Sequence, residues 1–161
     1  MTTLHDFAVW LAHSPLNAAV TGPSWLVPEI QIVHIVAIAA VVIASTLINL
    51  RALGLAETDL PQQAVVRTWA RVIVIAVAVL AATGFLLVVS EPGRALFRTV
   101  FWVKLVLIAA ALTVTAAQGR TGPVPTAVSR ALAITSLLLW VGVIFAGRWI
   151  AYAEGWPGAF S

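Results

Sequence analysis

The chain has no cysteine, and its single methionine is Met1. Without cysteine there is no disulfide, no haem attached through a CxxCH run and no thiolate metal site. Without an internal methionine there is no thioether relay for copper. Charge is almost as scarce: 9% of the 161 residues are charged against 61% hydrophobic, which marks a membrane protein rather than a globular one. The pI near 10.7 does not signal nucleic-acid binding, because the net charge is only +3 and the basic residues flank apolar runs instead of forming a patch. The only two aspartates, Asp6 and Asp59, are expected on opposite sides of the membrane. No Ser/His/Asp set then falls at one depth, and nucleophilic hydrolysis is disfavoured. The first 28 residues carry no Lys or Arg, and His5, Asp6 and Pro15 interrupt any apolar core, so no cleavable signal peptide is expected.

What is present is four long apolar runs, at about 28–50, 72–90, 97–117 and 131–152. Each is close to the ~20 residues needed to cross the hydrocarbon layer as a helix, and continuous apolarity argues against alternating strands. The fold class read from this pattern is an all-α integral membrane protein, a single domain with a four-helix transmembrane bundle. Residues 1–27 precede it as a periplasmic interfacial segment with an amphipathic helix, Leu4, Phe7, Ala8, Leu11 and Ala12 at helical spacing, and a turn at Thr21-Gly22-Pro23-Ser24. Trp10 and Trp25 suit the headgroup layer, while Trp140 lies mid-span as core or lipid-facing bulk. Arg51, Arg67, Arg71, Arg120 and Arg130 lie by the connections after spans 1 and 3, and only Arg94 and Arg98 on the other side. That asymmetry predicts both termini outside, in the periplasm of a bacterial inner membrane. Gly54 is expected to stop the first span, Asp59-Leu60-Pro61-Gln62 to restart the second, and Ser90-Glu91-Pro92-Gly93 to form a tight outer turn.

Three ionisable residues lie inside the spans: His34, Lys104 and Arg148. Counting ~1.5 Å per residue from the outer ends puts all three in one leaflet, with Glu29 at its edge. Thr83 and Gly84 reach a similar level and can supply a hydroxyl and a close backbone approach. Ser45 stands eleven residues beyond His34 and Thr115 eleven beyond Lys104, which returns each to the same helical stripe. Gly142 and Ala146 form a small-xxx-small pair suited to close helix packing. Intramembrane ionisable groups are costly and face an interior or a cavity. Taken singly they also have plain readings: Lys104 and Arg148 as snorkelling cations, His34 as a packing residue and Glu29 as an interfacial carboxylate.

Two cations, a carboxylate and an imidazole at shallow depth suit an amphipathic anion with an apolar body. Haem b is one such ligand, with His34 as axial nitrogen and Lys104 and Arg148 neutralising propionates. A quinone is another, exchanging protons with His34 and Glu29. A phospholipid headgroup or a carboxylate of a periplasmic protein partner is a third and needs no chemistry. A His/carboxylate metal site would need Glu29, His34 and an N-terminal histidine together. Four short helices offer little interior volume, so a homo-oligomer is a reasonable expectation.

Val33-His34-Ile35-Val36, followed by Leu50-Arg51-Ala52-Leu53, resembles the first helix of the HemJ and CopD-like membrane proteins. Phe101-Trp102-Val103-Lys104-Leu105-Val106-Leu107 resembles a second helix of theirs. The whole chain, with HSPL at 13–16, FWVKL at 101–105 and GRW at 147–149, is closer still to small bacterial four-span proteins of no assigned function. The HemJ side of the resemblance implies haem b and protoporphyrinogen oxidation, with His34 as ligand and Lys104 as a polar partner; the CopD side implies copper handling. It departs where HemJ-like proteins carry a further histidine after the lysine, since this chain reads Thr113-Val114-Thr115-Ala116 there. A second ligand would then come from His13, or the iron would be five-coordinate.

Overall fold

The computed structural model describes residues 2–56, 59–121 and 124–152, the side chains of Thr2 and of 148–152 excepted. Among these residues every regular element is a helix: α1 Thr2–Ala12, α2 Pro15–Thr21, α3 Leu26–Leu53, α4 Gln62–Ser90, α5 Pro92–Leu96, α6 Thr99–Gln118 and α7 Ala127–Tyr152. Four of them, α3, α4, α6 and α7, are long and apolar enough to cross a membrane. At ~1.5 Å per residue, α6 just matches a ~30 Å hydrocarbon layer, whereas α3 and α4 overshoot it by about 12 Å.

The ends of these helices follow from local chemistry. Gly54 stops α3 as expected: it adopts φ 78°, the left-handed conformation open to glycine. Leu55 N–H then reaches Leu50 O at 2.9 Å and Gly54 N–H reaches Arg51 O at 3.0 Å, a Schellman closure. Helix α7 starts four residues earlier than the apolar run suggests. Thr126 and Ser129 cap each other there, Thr126 N–H donating to Ser129 Oγ at 2.8 Å and Ser129 N–H to Thr126 Oγ1 at 3.2 Å. Helix α4 likewise begins well before the apolar run, at Gln62, so the run from 72 is only its lipid-length part. One expectation is corrected: the turn at Ser90–Gly93 is shorter than drawn, because Pro92 opens α5 at a position where a missing N–H costs nothing. The expected N-terminal helix is present as α1, and a second short helix follows it where Ser14 caps α2 and Pro15 takes its first turn.

The chain divides into two packing units. The first contains residues 1–41 and 72–99. Within it α1 packs on α5 through buried Ala8, Leu11 and Leu96, leaving Phe7 and Trp10 exposed. Asn17 of α2 donates to Val89 O at 2.7 Å, which satisfies a carbonyl that the end of α4 leaves without a helical partner. The second unit contains residues 42–71 and 100–161. Its interior is polar as well as apolar: Ser45, Asn49, Gln62, Thr115, Gln118, Ser129 and Ser136 are all buried beside Ile48, Val65, Ala111 and Ala133. Arg51, read from the sequence as a membrane-edge cation, is also buried here, and its Nε donates to Leu60 O across the α3–α4 connection.

Candidate functional site

The first unit contains a built histidine site. His34 is half-buried on α3, and its Nδ1 lies 2.7 Å from Thr83 Oγ1 on α4. The hydroxyl proton of Thr83 is already committed, because Oγ1 donates to Val79 O, one turn earlier, at 2.7 Å. A hydroxyl has one proton, so the His34–Thr83 bond must run the other way, with Nδ1–H donating to Thr83 Oγ1. That assigns the Nδ1–H tautomer to the neutral ring and puts the lone pair on Nε2. Gly84 completes the seat: a Cβ at that position would stand 3.4 Å from His34 Cε1. The hydroxyl and the close approach expected of Thr83 and Gly84 are therefore present.

The other expected residues lie elsewhere. Glu29 belongs to the same unit and is exposed in the first turn of α3, where a carboxylate suits the positive end of the helix dipole. His13 is exposed at the end of α1, its Nδ1 donating to Val9 O at 2.8 Å. Lys104 belongs to the second unit, half-buried on α6, with its Nζ 3.8 Å from where a Gly147 Cβ would stand on α7. The α7 backbone next to Arg148 is thus close to the Lys104 ammonium. The side chain of Arg148 lies outside the described residues. A common depth did not imply a common packing unit: His34 stands in one and Lys104 in the other. Among the described residues no three of His, Cys, Asp and Glu gather into a metal-binding group, so the Glu29–His34–histidine cluster does not form.

Sequence reasoning missed the second unit's polar interior. Asn49 Nδ2 donates to Ser136 Oγ at 3.0 Å, Ser136 Oγ lies 3.2 Å from Thr115 Oγ1, and Gln118 Nε2 donates to Ser129 O at 3.2 Å. Ser45 and Thr115 were placed on interior stripes, correctly, but Asn49, Gln118 and Ser136 were not. The available signal was their spacing: 45 and 49, 115 and 118, and 129 and 136 each return to one helix face. This unit also has an open cleft of about 570 Å³ lined by Pro61, Gln63, Ala64, Val66, Arg67 and Gly119, none of them an expected site residue.

Residues 25–153 match a family of unknown function, DUF6644. The chain belongs to that family. The match begins at Trp25 and takes in all four spanning helices of this DUF6644 protein, along with His34, Thr83, Gly84 and Lys104. It leaves out α1 and α2, and with them His13. No curated protein matches the chain. No solved structure does either.

Proposed function

We propose that this membrane protein binds a redox cofactor, haem b, and that His34 Nε2 is the nitrogen that would hold its iron. One observation carries the reading: the Thr83 hydroxyl, which donates to Val79 O, accepts the hydrogen bond of His34 Nδ1–H, so that the lone pair of the neutral ring is on Nε2. Ligating histidines characteristically donate their second ring N–H to a fixed acceptor, which sets both tautomer and ring orientation. The donor set fits the group in chemistry: a neutral imidazole, seated on Gly84, on a helix whose neighbouring Val33, Ile35 and Val36 are exposed and apolar. Haem bound there would supply one-electron transfer; the chain's own part is to orient the imidazole through the Thr83 hydrogen bond. The resemblance of the Val33–Val36 segment to HemJ-like proteins supports the same reading. His13, with its own Nδ1 proton given to Val9 O, is the proposed second ligand. Both termini are taken to be periplasmic, which assigns His34 to the outer leaflet of a bacterial inner membrane.

Two other readings use particular observations. The same Nε2 lone pair would accept a proton from a quinol hydroxyl. The stacked Phe7–Trp10 pair on exposed α1, with ring centroids 5.9 Å apart, suits a lipid surface and supports an anchoring role for a periplasmic partner. The deciding experiment is an absorption spectrum of the detergent-purified protein, oxidised and dithionite-reduced, beside His34→Ala. A Soret band that sharpens on reduction and disappears in the variant is expected. A protein that stays colourless after haem is supplied during expression overturns the haem reading. Quinol-dependent activity would then favour the second reading, and a co-purifying partner the third.

A further inference from the structure

The second unit buries polar atoms that its own hydrogen bonds leave unmet. Ser45 Oγ, Gln62 Oε1, Gln118 Oε1 and Trp140 Nε1 are buried with no hydrogen-bond partner among the described residues. Their positions follow from the Asn49–Ser136 bond, which fixes the register of α3 against α7. Ser45 is four residues before Asn49, and Trp140 four after Ser136. The two helices are antiparallel here, so both positions lie about 6 Å from that bond in the same direction along the bundle axis. Ala111, four residues before Thr115 on α6, reaches the same level by the same count and is fully buried with the smallest side chain that keeps a Cβ. Towards the other end, the Gln62 amide reaches Ile48 O and the Gln118 amide reaches Asn49 Oδ1, so the two carbonyl oxygens surround one turn of α3.

The chemistry of these four atoms selects an occupant. Trp140 Nε1–H is a donor only, the two carboxamide oxygens are acceptors only, and the Ser45 hydroxyl is both. A cation would meet the oxygens and be repelled by the indole N–H. An anion would meet the N–H and be repelled by the carbonyls. Among the described residues the unit buries no carboxylate to offset a cation in this interior. Water both donates and accepts, and buried water characteristically joins polar groups that the protein leaves unpaired.

We infer that the second unit holds internal water, bound at one end by Ser45 Oγ and Trp140 Nε1 and at the other by the Gln62 and Gln118 carbonyl oxygens. With the Asn49, Thr115, Ser129 and Ser136 bonds between them, these groups form a hydrated polar file. It runs along α7 from Ser129 to Trp140, about 16 Å and half the hydrocarbon thickness. The file makes this part of the spans a wet, hydrogen-bonded interior rather than a dry apolar one.

The test is infrared difference spectroscopy of the full chain in lipid, in ordinary and heavy-oxygen water, reading O–H stretching bands of internal water. Wild type is expected to show bands that shift with the isotope and survive drying of the film. Ser45→Ala, which removes one oxygen and no packing volume of consequence, is expected to reduce them and to lower the Tm. Trp140→Phe is expected to reduce them again, and His34→Ala, in the other unit, to leave them intact. Absence of isotope-sensitive bands in wild type overturns the inference. So do bands that keep full intensity in Ser45→Ala, or a higher Tm in that variant, since deleting a truly unpaired hydroxyl relieves a burial cost. Ser45→Ala decides the matter alone if Trp140→Phe does not fold.

Discussion

Thr83→Val tests the assignment of the His34 tautomer without any cofactor. Valine keeps the shape of threonine and loses the oxygen that accepts the His34 Nδ1 proton at 2.7 Å. A net hydrogen bond contributes about 0.5–1.5 kcal/mol in proteins generally, and interhelical bonds within membranes average nearer ~0.6 kcal/mol. With RT at 0.59 kcal/mol, the ratio of Nδ1–H to Nε2–H rings at His34 should fall about 3-fold at the membrane average and ~10-fold at the upper end. The assay is nitrogen NMR of protein labelled at histidine, where the protonated and unprotonated ring nitrogens are well separated. The chain has only three histidines, so His5→Gln and His13→Gln complete the assignment. Thr83→Ser keeps the hydroxyl and should keep the wild-type ratio. An unchanged Nδ1–H population in Thr83→Val would refute the reasoning, because it would mean that Thr83 does not hold the proton in place. If haem binds, the same substitution should weaken it by about 10- to 100-fold, the usual effect of removing the group that orients a ligating histidine.

Two further outcomes test the frame around the site. Gly54→Ala meets no atom within 4 Å, so its cost is purely that of forcing a Cβ into φ 78°, about 1–2 kcal/mol; thermal unfolding in detergent should show it, with Gly54→Asn milder. Asn49→Leu keeps the volume and removes the bonds to Ser136 and Gln118. Ser136 retains Thr115 and Gln118 retains Ser129 O, so no partner is stranded and the loss should be about 1–2 kcal/mol, with a loss above ~4 kcal/mol contradicting the bond pattern.

The four spans were legible because continuous apolar runs of this length have few other uses. Helix ends were less so, since a hydropathy count sees lipid-length stretches and not the polar turns beyond them. Thus α7 extends back to Ala127, where the Thr126–Ser129 caps make the start, while the start of α4 at Gln62 is the restart that Asp59-Leu60-Pro61-Gln62 marks in the sequence. His34, Thr83 and Gly84 were found by depth alone, because two helices crossing the same layer bring equal depths within reach. Depth was weaker evidence for His34 with Lys104, because it fixes height in the membrane and not which faces meet. The Asn49–Ser136–Thr115 set was passed over because it carries no charge. Its mark in the sequence is neutral polar residues repeating on one helix face.

His34 differs from the rest of the polar interior in its chemistry. Lipid is as apolar as leucine, so helices in a membrane are held by close packing of small residues and by hydrogen bonds across their faces. In the second unit that role falls to Asn49 with Ser136, and to Gly142, where a Cβ would stand 3.6 Å from Leu107. In the first it falls to Asn17 with Val89 O and to Gly84 beneath the His34 ring. For holding α3 to α4, a carboxamide or a hydroxyl at position 34 would serve Thr83 as well as an imidazole does. The imidazole adds one thing those groups lack, a second nitrogen, which carries the lone pair of the neutral ring while Nδ1 keeps its proton to donate to Thr83. The functional reading therefore rests on Nε2 and on the threonine that decides which nitrogen keeps the proton, not on the mere presence of a polar residue in the membrane.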